Sequence, residues 1–181
     1  PKMFEYNLLE MAKQRKQHIV FPEGADDRIL RAAETLLHRE VVEITLLGSH
    51  DLVRERAATL GLQLKGANIL DPQKSERFHE YVQAFYELRK HKGITEENAR
   101  DMLGDFNYYG TMMIAMGDAD GMVSGAVHTT RDTIRPALEI IKTKPGFSVI
   151  SSVFFMCLKD RVLVYGDCAV NPDPNARNLA E

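Results

Sequence analysis

The sequence predicts an α/β fold, an open and mostly parallel sheet with helices on both faces. Three observations carry that prediction. Short β-branched runs alternate with amphipathic helical periods along most of the chain. Pro, Gly and Asp stand where each strand must give way to a helix. The 181 residues are 44% hydrophobic and 27% charged, an ordinary globular balance, and a chain of that length buries roughly 70% of its unfolded surface without staples.

Taken in order, Phe4 to Lys16 reads as an amphipathic helix with Leu8, Leu9 and Ala12 on one face. His18 to Phe21 is a short buried strand, broken by Pro22 and Gly24. Asp26 or Asp27 then caps a helix whose Ile29, Leu30, Ala33, Leu36 and Leu37 repeat at helical spacing. Val41 to Leu47 is the next strand, Asp51 to Leu60 a helix, and Ala67 to Leu70 a brief strand. Strand and helix in alternation imply parallel crossovers. Ser75 to His91 is the longest helix, with Phe78, Val82, Phe85 and Leu88 as its apolar stripe. A capped helix starts at Thr95 and another runs around Tyr108 to Met116, before a strand at Met122–Val123. From Phe147 the character changes. Val149 to Cys157 and Val162 to Tyr165 read as a hairpin, so a domain boundary is expected near Lys144-Pro145-Gly146, dividing a lobe at 1–144 from the start of a second at 145–181.

Charge and cysteine content narrow the function classes. Lys+Arg total 23 against 26 Asp+Glu, a net charge of −3, which excludes a general nucleic-acid binder but leaves room for a local cationic pocket. Cys157 and Cys168 alone make no disulfide framework or Cys-rich zinc site. Cys157, in an apolar strand, is expected to be a buried small hydrophobe; Cys168, after Gly166-Asp167, ends a strand at a potential cleft, but no Cys–His–Asp arrangement accompanies it. The N-terminus lacks the regions of a signal peptide, and the apolar run Val149 to Leu158 is too short to cross a bilayer. The expectation is a cytosolic protein without a membrane partner. Both ends look cut: Pro1 is no natural start, and the chain stops as a helical pattern begins at Asn178.

Chemistry concentrates in Gly110 to Pro136, GTMMIAMGDADGMVSGAVHTTRDTIRP. A strand, a small-residue turn at Ser124-Gly125-Ala126, the polar trio His128, Thr129 and Thr130, and a helix start follow one another there. Helix N-termini offer unpaired N–H groups that suit phosphate, and Arg135 offers a fork for two oxygens. The same Thr and Ser residues also serve as ordinary caps, with Pro136 expected in a first turn. Arg89, in the basic run before Gly93, either complements a helix C-terminus or reaches an anion in a cleft. Pro22-Glu23-Gly24 with Asp26, Asp27 and Arg28 forms a strand-to-helix loop, where open sheets bind ligands, although capping and an Asp–Arg pair explain most of it. Asp118 and Asp120 carry no metal spacing and read as a solvated turn.

FPEGADDRILRAA (Phe21 to Ala33), FYELRKHKGIT (Phe85 to Thr95), the Gly110 to Pro136 block and SSVFFMCLKDRVLVYGDCAVNPDP (Ser151 to Pro174) together resemble the phosphate acetyltransferases. The resemblance covers almost the whole chain. It implies a two-lobed fold similar to the isocitrate and isopropylmalate dehydrogenases, assembled as a homodimer. It implies the reversible conversion of acetyl-CoA and phosphate to CoA and acetyl phosphate, all substrates or products, with no resident cofactor and no metal. Arg89 and Arg135 match active-site arginines of that family; Ser124, Gly125, His128, Thr129 and Thr130 match its cleft-lining, substrate-binding motif. The family's later serine, arginine and aspartate lie beyond Glu181, so little activity is expected of these residues alone. A butyryl-transferring enzyme and an acetyl-CoA- or acetyl-phosphate-sensing domain, such as that fused to some malic enzymes, are the alternatives.

Overall fold

A computed structural model describes residues 2–171 and 173–180. Pro1, Pro172 of the GDCAVNPDP run and Glu181 lie outside the described residues. Two compact units divide the chain, one from Ala12–Ile141 and one from Pro1–Met11 with Lys142–Glu181.

Helix α1 (Lys2–Gln14) buries none of its residues, and Leu8 of the expected apolar face is 49% exposed. Strand β1 (Gln17–Phe21) leads to α2 (Asp27–His38), whose N-cap is Asp26, accepting from the Arg28 N–H. There follow β2 (Val42–Leu47), α3 (His50–Thr59), β3 (Asn68–Leu70), a short 3-10 turn, and α4 (Phe78–Arg89). The long helix expected to reach His91 ends at Arg89, because a 3-10 turn over Lys90–Lys92 tightens onto Gly93, which is left-handed at φ 81°. Helix α5 (Glu96–Met102) has the Thr95–Asn98 capping box, α6 (Phe106–Ala115) is capped by Asp105, and β4 (Gly121–Met122) follows.

All three pairings of the sheet are parallel, in the order β3-β2-β1-β4. Side chains on a strand alternate between faces, so neighbouring residues enter different cores. Val20 and Leu47 join Val82, Phe85, Leu103, Tyr109 and Met112 on one side. Phe21, Ile44 and Leu46 join Leu30, Ala33 and Val53 on the other. Helices therefore cover both faces. Val20, Leu30, Leu46, Leu47, Val53, Val82 and Phe85 are fully excluded from solvent, each contributing about 1.5–3 kcal/mol.

Helix α7 (Thr130–Ile140) begins earlier than a first-turn proline would require: Pro136 lies inside it and is buried. The start is fixed instead by Thr129, whose hydroxyl accepts from the Asp132 N–H while Asp132 accepts from the Thr129 N–H. Pro136 brings no N–H for the carbonyl one turn back.

In the other unit β5 (Val153–Cys157) and β6 (Val162–Gly166) form the expected antiparallel hairpin, with Cys157 opposite Val162. Its first strand starts later than Val149. Asn171 Nδ2 donates to the Ile150 carbonyl at 2.7 Å, and Ser151 and Asp167 meet at 3.0 Å, so this stretch forms side-chain-tied loop. Every residue of β5 is exposed, Cys157 included, which corrects the expected burial of that thiol. An apolar sequence buries itself only where a second layer covers it. Phe4 of α1 does approach Phe155, with ring centroids 5.6 Å apart. The last helix is α8 (Ala176–Ala180). Among the described residues, no helix is long and apolar enough to cross a membrane.

Candidate active site

The sheet order places β2 and β3 on one side of β1 and β4 on the other. The progression of the chain thus reverses between β1 and β4, and in open parallel sheets the crevice beyond the carboxyl ends at such a point is where ligands bind. Two loops leave the sheet there, Pro22–Asp26 after β1 and Val123–Thr129 after β4.

Glu23 joins them. Its side chain is 1% exposed, yet it is an acid, so its charge must be met. Four successive backbone N–H groups meet it: Gly125 at 3.1 Å and Ala126 at 2.8 Å on Oε2, Val127 at 2.7 Å and His128 at 2.9 Å on Oε1. His128 Nδ1 adds a fifth contact at 2.8 Å. Burial raises the Glu23 pKa, but the N–H groups of Val127, His128 and Ala126 and the His128 ring overcome it and bring it to about 2. The loop bends into this wrap through Gly125, at φ 117°. Arg28 ties it from outside, donating to the Ala126 carbonyl at 2.6 Å while paired with Asp26.

Ser124 lies just before the wrap. Its hydroxyl donates to Asn107 Oδ1 at 2.8 Å and receives Thr133 Oγ1 at 3.4 Å. Asn107 is wholly buried in the first turn of α6, and its Nδ2 has no partner among the described residues. Thr129 is engaged as the α7 cap, with its Oγ1 2.7 Å from Asp132 Oδ2, and Thr130 opens the helix at an exposed position.

A second carboxylate gathers the arginines. Glu139, near the end of α7, accepts from Arg135 Nε at 3.0 Å and from the Tyr108 hydroxyl at 2.9 Å, and Arg89 Nη2 stands 3.7 Å from it. Arg89 comes from the end of α4, Tyr108 from α6 and Arg135 from one turn back on α7. Burial raises the Glu139 pKa, but hydrogen bonds from Arg135 and Tyr108 and the Arg89 charge bring it below the usual carboxylate value. Burial first, then the hydrogen bond to Glu139 and the charge of that carboxylate, push Tyr108 up to about 12. Arg89 Nε is buried without a partner among the described residues, so its hydrogen-bonding capacity is not exhausted.

The two clusters share elements. Consecutive residues of α6, Asn107 and Tyr108, touch Ser124 and Glu139 respectively. A cavity of about 510 Å³ opens beside Glu23 and His128, walled by Leu47, Leu52, Phe106 and Val127, a size suited to part of a small organic ligand. The candidates read from the sequence therefore fall into three groups. Ser124, Gly125 and His128 are in or beside the Glu23 wrap, Arg89 and Arg135 share Glu139, and Thr129 and Thr130 start the helix between them. Sequence reasoning passed over Glu139 and Asn107 and treated Glu23 as loop; the one available signal was the Arg135–Glu139 spacing of one helical turn. Asp118 is not a solvated turn residue: Arg77 and Tyr81 both donate to it, while Asp120 accepts from the His18 N–H at 2.8 Å.

Comparisons with known proteins identify the family. The phosphate acetyltransferase of Nitratidesulfovibrio vulgaris is 61% identical over 181 residues, and that of Synechocystis 54% over 183; each match spans this whole chain and 26% of the relative. A phosphotransacetylase structure from Streptococcus pyogenes superimposes with a TM-score of 0.92 at 44% identity, over 99% of this chain and 55% of that one. The chain thus spans about a quarter of the length of the two curated relatives and about half of the solved one. The profile of the phosphate acetyl/butaryl transferase family matches residues 3–181, and the chain belongs to that family.

Proposed function

We propose that this chain supplies the anion-holding part of a phosphate acetyltransferase, which converts acetyl-CoA and phosphate reversibly to CoA and acetyl phosphate. The observation that carries the reading is the meeting of Arg89 and Arg135, from separate helices, at the single carboxylate of Glu139. Two guanidinium groups held that close have a use where an oxyanion must be fixed and its charge offset. The names of the relatives favour acetyl over butyryl as the group transferred.

In the forward direction a phosphate oxygen attacks the thioester carbonyl. A carbon–oxygen bond forms, the carbon–sulfur bond breaks, and the proton of hydrogen phosphate ends on the CoA thiol. Both reactants are anionic. Cations that hold phosphate in line lower the entropic and the electrostatic parts of the barrier together. Arg135, with Ser124, Gly125, Thr129 and Thr130 at the head of its helix, positions phosphate. Arg89 offsets charge on phosphate or CoA from across the cleft, and His128 lines the substrate side. No phosphorus–oxygen bond breaks, so the reading calls for no resident cofactor or metal. A two-lobed architecture like that of the isocitrate and isopropylmalate dehydrogenases, with 1–144 in the first lobe and 145–181 opening the second, a homodimer, and a cytoplasmic location belong to the same proposal.

The test is Arg135→Ala in the complete natural polypeptide carrying this sequence. The expected result is a fall in kcat/KM of about a hundredfold. Turnover near wild type would show that Arg135 does not hold substrate.

A further inference from the structure

We propose that Glu23 is a positioning residue: its buried carboxylate sets the conformation of the Ser124–Thr129 loop, and through it the place of the substrate-facing groups on that loop. The inference rests on the function proposed above for its kinetic consequence, but its structural half stands on geometry alone. Four consecutive N–H groups, from Gly125 to His128, point inward to one side chain that lies 102 residues earlier in the sequence at Gly125. A loop with this inward arrangement has no α-helical or sheet hydrogen bonds to fix it over those residues. The carboxylate is what satisfies these donors, as a bound anion would in a comparable concave array of N–H groups.

Three further observations connect this contact to the site. The His128 ring donates Nδ1–H to the same Oε1 that receives the His128 backbone N–H. That bond fixes the ring orientation. Glu23 and His128 both wall the cavity at the carboxyl end of β1. Ser124, at the near end of the wrap, and Thr129, at the far end, are both tied down at their own side chains. The segment is therefore pinned at its two ends and at its centre, and Glu23 is the central pin. Gly24, the next residue, donates its N–H to the Leu47 carbonyl at 3.2 Å, which anchors the carboxylate to β2.

Glu23→Gln preserves shape and removes half of the acceptor capacity, turning an NH2 group toward donors. In the complete natural polypeptide, KM for phosphate is expected to rise about tenfold or more with kcat changed less than about threefold, the pattern of lost binding shared by ground and transition states. Hydrogen exchange at the Gly125–His128 amides is expected to accelerate by about tenfold or more. A folded variant with both quantities within about twofold of wild type overturns the inference. So does a drop in melting temperature with unchanged KM, which would mark Glu23 as structural only. If the glutamine variant does not fold, Glu23→Asp, which keeps the charge and shortens the reach by one methylene, carries the same measurements. A wild-type protein that lacks phosphate-dependent acetyl transfer would defeat the proposed function and leave the exchange result to decide the positioning role.

Discussion

Glu23 and Glu139 are both depressed-pKa carboxylates at the candidate site, but they are held by different kinds of donor. Glu23 is held mainly by backbone N–H groups of one loop, which have no rotamers to lose and cannot turn elsewhere without remaking the chain path. Glu139 is held by a tyrosine and two arginines from three helices, all long side chains that can let go. The difference separates a fixed part of the site from an adjustable one. A carboxylate among backbone donors sets shape; a carboxylate among guanidinium groups keeps their charges together, and under the function proposed above it yields them to a competing anion.

The comparison breaks most severely at Gly24→Ala. A Cβ there would lie 2.6 Å from the Leu47 carbonyl oxygen and 3.1 Å from its nitrogen, and backbone atoms of a central strand have no room to give. Because Gly24 adjoins Glu23, the strain passes straight to the wrap. A loss of about 3 kcal/mol in urea unfolding is expected. No position in the arginine cluster has this property, so a mild result would mean that the Glu23 side is as adjustable as the other.

Acid separates the two carboxylates next. Glu23 has a folded pKa of about 2 against a reference of 4.5. A depressed carboxylate contributes stability that is complete above its unfolded pKa and is lost as pH falls through its folded pKa. The difference in unfolding free energy between wild type and Glu23→Gln should therefore shrink by about 3 kcal/mol from pH 6 to pH 2. Chemical unfolding at a series of pH values measures it. A pH-independent difference would mean that the carboxylate charge is not what the N–H groups require.

Much of this architecture was legible from the sequence. Alternating strand and helix periods located β1, α2, β2, α3 and β3 to within a residue or two, because each has one dominant apolar pattern. The Thr95 cap was readable because capping is local. Cys157 was misplaced for the opposite reason: hydrophobicity says what a strand would bury, and only tertiary packing says whether a layer is there. Glu23 is the deeper lesson. Its neighbour Asp26 explains itself within two residues, as the cap and ion partner of Arg28, whereas Glu23's own partners lie more than a hundred residues away, and nothing in one sequence marks such a pairing. Glu139 left a faint local trace in its spacing from Arg135, but its contacts with Arg89 and Tyr108 needed three helices to be assembled.

Glu139→Gln sharpens the contrast on the adjustable side. Tyr108 and Arg135 can still hydrogen-bond the amide, so the loss is confined to charge. Arg89 and Arg135 differ in exposure, at 19% and 56% for their side chains, so solvent screens the pair only in part. A stability cost of about 1–2 kcal/mol is expected, with tighter binding of inorganic phosphate because the internal competitor is gone. NMR of the arginine Nε–H groups during a phosphate titration reads the second effect. Weaker phosphate binding would mean that Glu139 arranges the arginines instead of competing for them.

The smallest effect belongs to Thr129, which lies between the two carboxylates and has two candidate jobs. Its hydroxyl accepts the Asp132 N–H and stands 2.7 Å from the Asp132 carboxylate, so as a cap it answers to α7 itself. Thr129→Ala should cost about 1 kcal/mol, a drop of roughly 2–4 °C in melting temperature for a chain of this size. Thr129→Ser keeps the oxygen and should restore the stability. The kinetics of the complete polypeptide then divide the roles. If capping is the whole of its work, phosphate KM follows stability and is normal in both variants at temperatures well below melting. If the hydroxyl also contacts phosphate, the alanine variant raises KM at every temperature while serine does not, because a ligand contact is lost with the oxygen regardless of how well the helix is held. The cap and the ligand contact draw on one oxygen, and its bond to Asp132 must be shared or exchanged for the second to occur.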